Sequence, residues 1–188
     1  QTHKFFGSER QFAGTRGIQI PAIFMDRLSK MPNVALMWGA NASGYYADSG
    51  VLTLEDGSKF VKVKAKRVII ATGAAEKPLA FENNDLPGVY GAGAVQTLMN
   101  VHGVKPGDRV LMVGSGNIGL IVSYQLIQAG VEVVALVEAA GCIGGYLVHA
   151  AKLRRAGVPI LTSHTVVRAL GEETVRGAVV AQVDQSWQ

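Results

Sequence analysis

The chain has 188 residues, 48% hydrophobic and 17% charged, with a formal charge of +4 and a pI near 9.3, which suits a globular protein with one large core or two small ones. No apolar run approaches the length of a membrane helix and no signal peptide is visible, so no membrane role is expected and the reading is cytoplasmic. A single cysteine, Cys142, excludes an internal disulfide framework and any C-x-x-C redox pair, and the scattered His3, His102, His149 and His164 lack metal-ligand spacing, so no metal site is expected.

In chain order, apolar residues at helical spacing predict a helix over Ile20–Leu28 that stops near Pro32-Asn33, followed by a strand over Val34–Trp38. Short β segments at Tyr45–Ala47 and Val51–Leu54, a turn at Glu55–Ser58 and a long strand from Phe60 make a small meander. In that last strand Lys62, Lys64 and Lys66 alternate with Val61, Val63 and Ala65. Alternation of this kind marks a strand with one wet face, so the basic run is a solvated edge rather than a nucleic-acid patch. The meander ends in the apolar run Val68–Gly73, of the kind buried on both faces in a parallel sheet.

A second apolar strand, Val110–Val113, runs into Gly114-Ser115-Gly116-Asn117-Ile118-Gly119, and a helical pattern then extends to Gly130. Another strand, Val131–Val137, ends in Glu138, 138 − 119 = 19 residues past the last glycine. This spacing is the fingerprint of a dinucleotide-binding βαβ unit. Gly114 makes the tight turn, Gly116 lets the backbone approach phosphates, and Gly119 lets helix and strand pack closely. The helix N-terminus adds free N–H groups and a positive field. Glu138 would accept from ribose hydroxyls and repel a 2′-phosphate, and Ala139, Ala140 and Gly141 offer no arginine, which favours NAD(H) over NADP(H). Ser115 is no nucleophile elbow, because Val113 stands where G-x-S-x-G needs its first glycine. Beyond the fingerprint, Ala150–Ala156 reads as a helix closed by Gly157, Val158–Leu161 as a strand, and Thr165–Leu170 with Thr174–Val183 as a second meander.

The two halves share a plan. Val34 matches Val158, Met37 matches Leu161, and Ala42-Ser43 matches Val166-Val167, a constant offset of 124. The first copy's glycine fingerprint is then expected before Gln1 and the second copy's last strand beyond Gln188. Unpaired strand edges around Val68–Ala71 and Val179–Val183 lead to an expected homodimer or other association. The fold class expected is α/β, with Rossmann-like three-layer βα modules, β meanders, and two nucleotide-binding domains that are each incomplete.

Val68-Ile69-Ile70-Ala71-Thr72-Gly73-Ala74, the linker Leu86-Pro87-Gly88-Val89-Tyr90 and Val113–Gly119, in that order, resemble the pyridine nucleotide-disulfide oxidoreductase superfamily of two-dinucleotide-domain flavoproteins. Thr2–Gly7, Glu138-Ala139-Ala140 and Ile143–Tyr146 are most similar to its branch of NADH oxidoreductases and the α-type subunits of sarcosine and opine oxidases. The resemblance implies a partial FAD-binding domain over residues 1–95 and an NAD-binding domain over 96–188 that lacks its last strand. It implies that Thr72 and Gly73 lie near FAD, that Asn41 and Ala42 contact its adenine, and that Thr165 and Val166 sit near the NAD adenine. The implied reaction is hydride transfer between NAD(H) and flavin, for which no catalytic side chain is named; FAD is expected in the complete protein. Two alternatives stand beside it. The chain could be a noncatalytic nucleotide-binding subunit working with other oxidase subunits, or Glu138, followed by Gly144-Gly145, could read the ribose of FAD.

Overall fold

A computed structural model describes residues 12–184 and Ser186, so the motif Thr2–Gly7, His3 and the terminal Trp187 lie outside the described residues. The chain divides into two compact units that meet at Ala74/Ala75.

In the first unit, α1 (Ile20–Ser29) starts with Pro21 in its first turn, where a missing N–H costs nothing. Asp26 and Lys30 pair across one helical turn at 2.7 Å, and the Phe12 and Phe24 rings pack with centroids 5.3 Å apart. Strands β1 (Asn41–Tyr46), β2 (Val51–Asp56) and β3 (Lys59–Lys64) form an antiparallel sheet in that order. In β3 the lysines are exposed while Val61 and Val63 are half-buried, as the alternation requires of an edge strand. Only Phe12 and Thr53 are buried among this unit's described residues.

Two expected strands do not form here. Val34–Trp38 and Val68–Gly73 are irregular, with Trp38 71% and Ile69 91% exposed. A strand is held by the ladder it makes with a neighbour, and no described strand lies beside either segment to satisfy its N–H and C=O groups. The counterpart of the first in the other half does become a strand, because it has a partner.

That partner belongs to the second unit, where β4 (Arg109–Val113), β5 (Glu132–Glu138) and β6 (Ile160–Thr162) form a parallel sheet in that order. α3 (Asn117–Gln128) connects β4 to β5 and α4 (Leu147–Arg155) connects β5 to β6. α2 (Ala92–Asn100) packs alongside α3. The core joins Met112, Val133 and Leu136 of the sheet to Leu120, Val122 and Leu126 of α3, Ala150 and Leu153 of α4, and Val95 of α2. Most of α3 is apolar, which suits a helix whose Leu120, Val122 and Leu126 are fully buried.

α2 is not foreseen from the sequence pattern, and its N-terminus explains why. Its N-cap, Gly91, has no capping side chain; instead the Glu76 carboxylate accepts from the N–H groups of Gly93 (2.9 Å) and Ala94 (3.3 Å). An added Cβ at Gly91 would run into that carboxylate, so the glycine makes room for a remote cap.

β7 (His164–Leu170) and β8 (Gly177–Gln182) form an antiparallel hairpin. Glu82 adds a one-residue bridge along β7: its N–H donates to Val167 O (3.3 Å) and its carbonyl accepts from Ala169 N–H (2.9 Å). Asn83 Nδ2 donates to Ala169 O and Val175 N–H to Pro87 O, so the Leu86–Tyr90 linker folds onto this hairpin.

The repeat has a structural signature. Register breaks between Ala42 and Gly44 in the β1–β2 pair and between Val166 and Arg168 in the β7–β8 pair. These positions differ by 166 − 42 = 124 and 168 − 44 = 124, the offset read from sequence. A bulge is a localised departure from the ladder, so its recurrence at matched positions supports two copies of one hairpin. No helix among the described residues is long and apolar enough to cross a membrane.

Candidate dinucleotide site

The second unit gathers the fingerprint residues at the C-terminal end of its parallel strands. Gly114 leaves β4 with φ +95, a left-handed turn that a side chain rarely adopts, and its N–H donates to Val137 O at 2.8 Å, fastening the loop to β5. Gly116 is exposed, with no heavy atom within 4 Å of where a Cβ would stand. Gly119 is the reverse case: it is buried, and a Cβ there would collide with the Gly114 carbonyl oxygen. The three glycines thus serve turn, open approach and close packing. The loop then opens α3 at Asn117, whose first N–H groups have no partner inside the helix.

Glu138 ends β5 beside this loop and turns back onto it. Its Oε2 accepts from Ser115 N–H (2.7 Å) and from the Ser115 hydroxyl (2.6 Å), while Oε1 accepts from Ala140 N–H (2.9 Å). Burial pushes the Glu138 carboxyl up, but the Ser115 hydroxyl and the backbone N–H groups of Ala140, Ser115 and Ala139 more than offset this and hold it below its ordinary value of 4.5. The group is an ionised acceptor at neutral pH.

A second loop closes against the first. Gly144 N–H donates to Ser115 Oγ (3.0 Å), Gly145 N–H to Ser115 O (2.8 Å) and Tyr146 N–H to Asn117 Oδ1 (2.8 Å). A Cβ on Gly145 would stand 2.7 Å from Leu120 Cδ1 and 2.9 Å from Asn117 N, so only glycine lets the loop lie this near the start of α3. Beyond β6, Ser163 takes φ +56 and its N–H donates to Ala140 O (3.0 Å), tying the Ala139–Gly141 segment to the strand after it. His164 Nδ1 lies 2.7 Å from Thr162 O.

Gly114–Gly119, Glu138 and Ala139 therefore come together. Val166 is buried on β7, which leaves its backbone rather than its side chain for a ligand. Asn41 and Ala42 begin β1 and are exposed, and Thr72 and Gly73 lie in exposed irregular chain of the same unit. Sequence reasoning misses the clasp on Ser115. Its one legible sign is Gly144-Gly145 a few residues after the acid, a pair that also follows flavin fingerprints. Among the described residues no cluster of His, Cys, Asp or Glu could hold a metal ion, and Cys142 is free and exposed.

Residues 5–186 match the family described as pyridine nucleotide-disulphide oxidoreductase. The chain belongs to that family. The family implies FAD and NAD(P) binding. The alpha subunit of sarcosine oxidase from Rhizobium meliloti (strain 1021) is 33% identical over 132 residues, which is 63% of this chain and 13% of that protein. An opine oxidase subunit of the same strain is 32% identical over 102 residues (53% and 22%), and the HcnB subunit of hydrogen cyanide synthase from Pseudomonas aeruginosa 27% over 155 (73% and 33%). The match thus spans a third or less of these relatives. Among solved structures, T. acidophilum thioredoxin reductase superposes with TM-score 0.67 at 18% identity, over 93% of this chain and 56% of that one. A water-forming NADH oxidase from Lactobacillus brevis, bound to NADH, gives TM-score 0.55 at 16% identity, over 76% and 34%. At such identities the likeness speaks for the α/β Rossmann-like fold.

Proposed function

We propose that residues 96–188 form an NAD-binding domain and residues 1–95 part of an FAD-binding domain, together serving hydride transfer between NAD(H) and a flavin. The observation that carries this reading is the ionised Glu138 at the end of β5, beside a glycine loop with open space at Gly116. Gly114, Gly116 and the first N–H groups of α3 would hold the pyrophosphate, where the helix field favours an anion. Glu138 Oε1, which accepts from Ala140 N–H, keeps acceptor capacity for a ribose hydroxyl, and a 2′-phosphate would meet a like charge. Val166 would contribute through backbone near the adenine. Asn41, Ala42, Thr72 and Gly73 would serve the flavin in the complete protein. When bound, the two cofactors supply the redox chemistry, hydride passing between nicotinamide C4 and flavin N5; the protein's part is alignment and exclusion of water.

A second reading is supported by the relatives' names, several being subunits of sarcosine or opine oxidases. In it the chain binds nucleotide within a larger amine oxidase assembly, alongside other subunits, and turns over nothing alone. The exposed Ile69 and Ile70 suit association with a second copy or with a different oxidase subunit, and a monodisperse monomer in light scattering would count against it. The test for function is anaerobic: the chain with added FAD is mixed with NADH and flavin absorbance is followed. Bleaching faster than with NADPH, and faster than free FAD with NADH, supports transfer; NADH binding without bleaching favours the subunit reading.

A further inference from the structure

Ser115 occupies a variable position of the glycine fingerprint, yet every polar group it owns is committed. It is fully buried, so its side chain is not at hand for a ligand. Its N–H and its hydroxyl both donate to Glu138 Oε2, its Oγ accepts from Gly144 N–H, and its carbonyl accepts from Gly145 N–H. The directions are fixed by chemistry: an ionised carboxylate only accepts and an amide N–H only donates, so the hydroxyl proton must point at Glu138. A glutamate left alone at the end of a strand samples many rotamers. Here one is selected before any ligand arrives, and the same hydroxyl pins the Gly144–Tyr146 loop over the start of α3.

We propose that Ser115 is a positioning residue for nucleotide selection: it aims the Glu138 carboxylate at the ribose diol, so that preference for an unphosphorylated coenzyme belongs to the Ser115–Glu138 pair and not to Glu138 alone. This rests on the NAD reading above. Alanine at 115 keeps the backbone N–H donor but removes the hydroxyl donor to Oε2 and leaves Gly144 N–H without its Oγ partner, while threonine retains both side-chain bonds.

The test measures NADH and NADPH dissociation constants by fluorescence for the full chain as wild type, Ser115→Ala, Ser115→Thr, Glu138→Gln and the Ser115→Ala/Glu138→Gln double variant. Loss of a hydrogen bond to a charged group is expected to weaken NADH about tenfold in Ser115→Ala with little change for NADPH, so the ratio collapses. Ser115→Thr restores the ratio, and Ser115→Ala changes little further once Glu138 is Gln, because the effect runs through that carboxylate. An unchanged ratio in Ser115→Ala, or an equal loss in the Glu138→Gln background, overturns the proposal. Should Ser115→Ala fail to fold by circular dichroism, Ser115→Cys, of similar size but a poor donor, is read in its place with the same expectation. A nucleotide-free readout separates the two readings: the Glu138 carboxyl carbon, followed by NMR through an acid titration, is expected to titrate at higher pH in the alanine or cysteine variant. If that shift occurs while folded wild type binds neither coenzyme, the positioning stands and the NAD reading falls; no shift overturns the positioning itself.

Discussion

Substituting alanine at Gly116 and at Gly119 separates the site from the fold. At Gly116 the backbone has φ −63 and ψ 170, open to any residue, and no heavy atom lies within 4 Å of the new Cβ. Alanine is a poorer N-cap for α3 than glycine, a cost of about 0.5–1 kcal/mol, which the restricted unfolded chain offsets by about 0.4–1 kcal/mol, so stability stays near that of wild type. At Gly119 the Cβ meets the Gly114 carbonyl oxygen, with Gly114 C at 3.2 Å and Met112 Cγ at 3.7 Å, so α3 must back away from β4. Overpacking of this sort costs about 1–3 kcal/mol, and the better helix propensity of alanine returns up to about 1 kcal/mol. A net loss of about 1–2 kcal/mol lowers Tm by roughly 2–8 °C in a chain of this length. Thermal unfolding by circular dichroism and NADH titration are run on both variants. Gly116→Ala is expected to keep Tm near that of wild type yet weaken NADH by about tenfold or more, since on the proposed reading the Cβ would stand where the pyrophosphate approaches. A Gly119→Ala protein as stable as wild type, or a Gly116→Ala protein with unchanged NADH affinity, refutes the reasoning.

Glu138→Gln should show a pH signature. The folded carboxyl lies below its ordinary 4.5, so its stabilisation is fully present above that value and is lost as pH falls through the folded one. The Tm gap between wild type and Glu138→Gln is therefore expected to hold from neutral pH down to 4.5 and to narrow as pH falls further through the folded value, and a gap independent of pH would contradict it. Removing the remote cap of α2 with Glu76→Ala is expected to cost about 1 kcal/mol in urea unfolding, and hydrogen exchange should quicken at Gly93 and Ala94. Gly88→Ala combines φ +104 with a Cβ that runs into Val175 Cγ1, so it is expected to destabilise by more than about 1 kcal/mol and to expose the Val175 N–H that now bonds Pro87.

What could be read from sequence was local and periodic. The βαβ unit, the acid at its end, α1, the half-wet β3 and α4 each carry their signal within one stretch of chain. The failures were non-local. Val34–Trp38 has the same character as Ile160–Thr162, but only the latter lies beside a strand, β5, and Val68–Gly73 has the composition of a buried strand without a described neighbour. α2 depends on a carboxylate from Glu76, 17 residues before Gly93, so the glycines at its N-cap (Gly91) and in its first turn (Gly93) hid it. At the site, the glycines and Glu138 were legible because their spacing is a geometric requirement. The Ser115 clasp was not, since serine there is one of many residues a turn accepts and its role appears only when β4 and β5 bring Glu138 to it.

The most direct measurement is a fluorescence titration of the chain with NADH and NADPH, run on wild type and on Glu138→Arg. Wild-type preference for NADH, reversed toward NADPH by the arginine, is expected if the glycine loop and Glu138 hold an unphosphorylated dinucleotide. A folded wild type that binds neither coenzyme, or whose preference the arginine leaves untouched, would contradict the dinucleotide site.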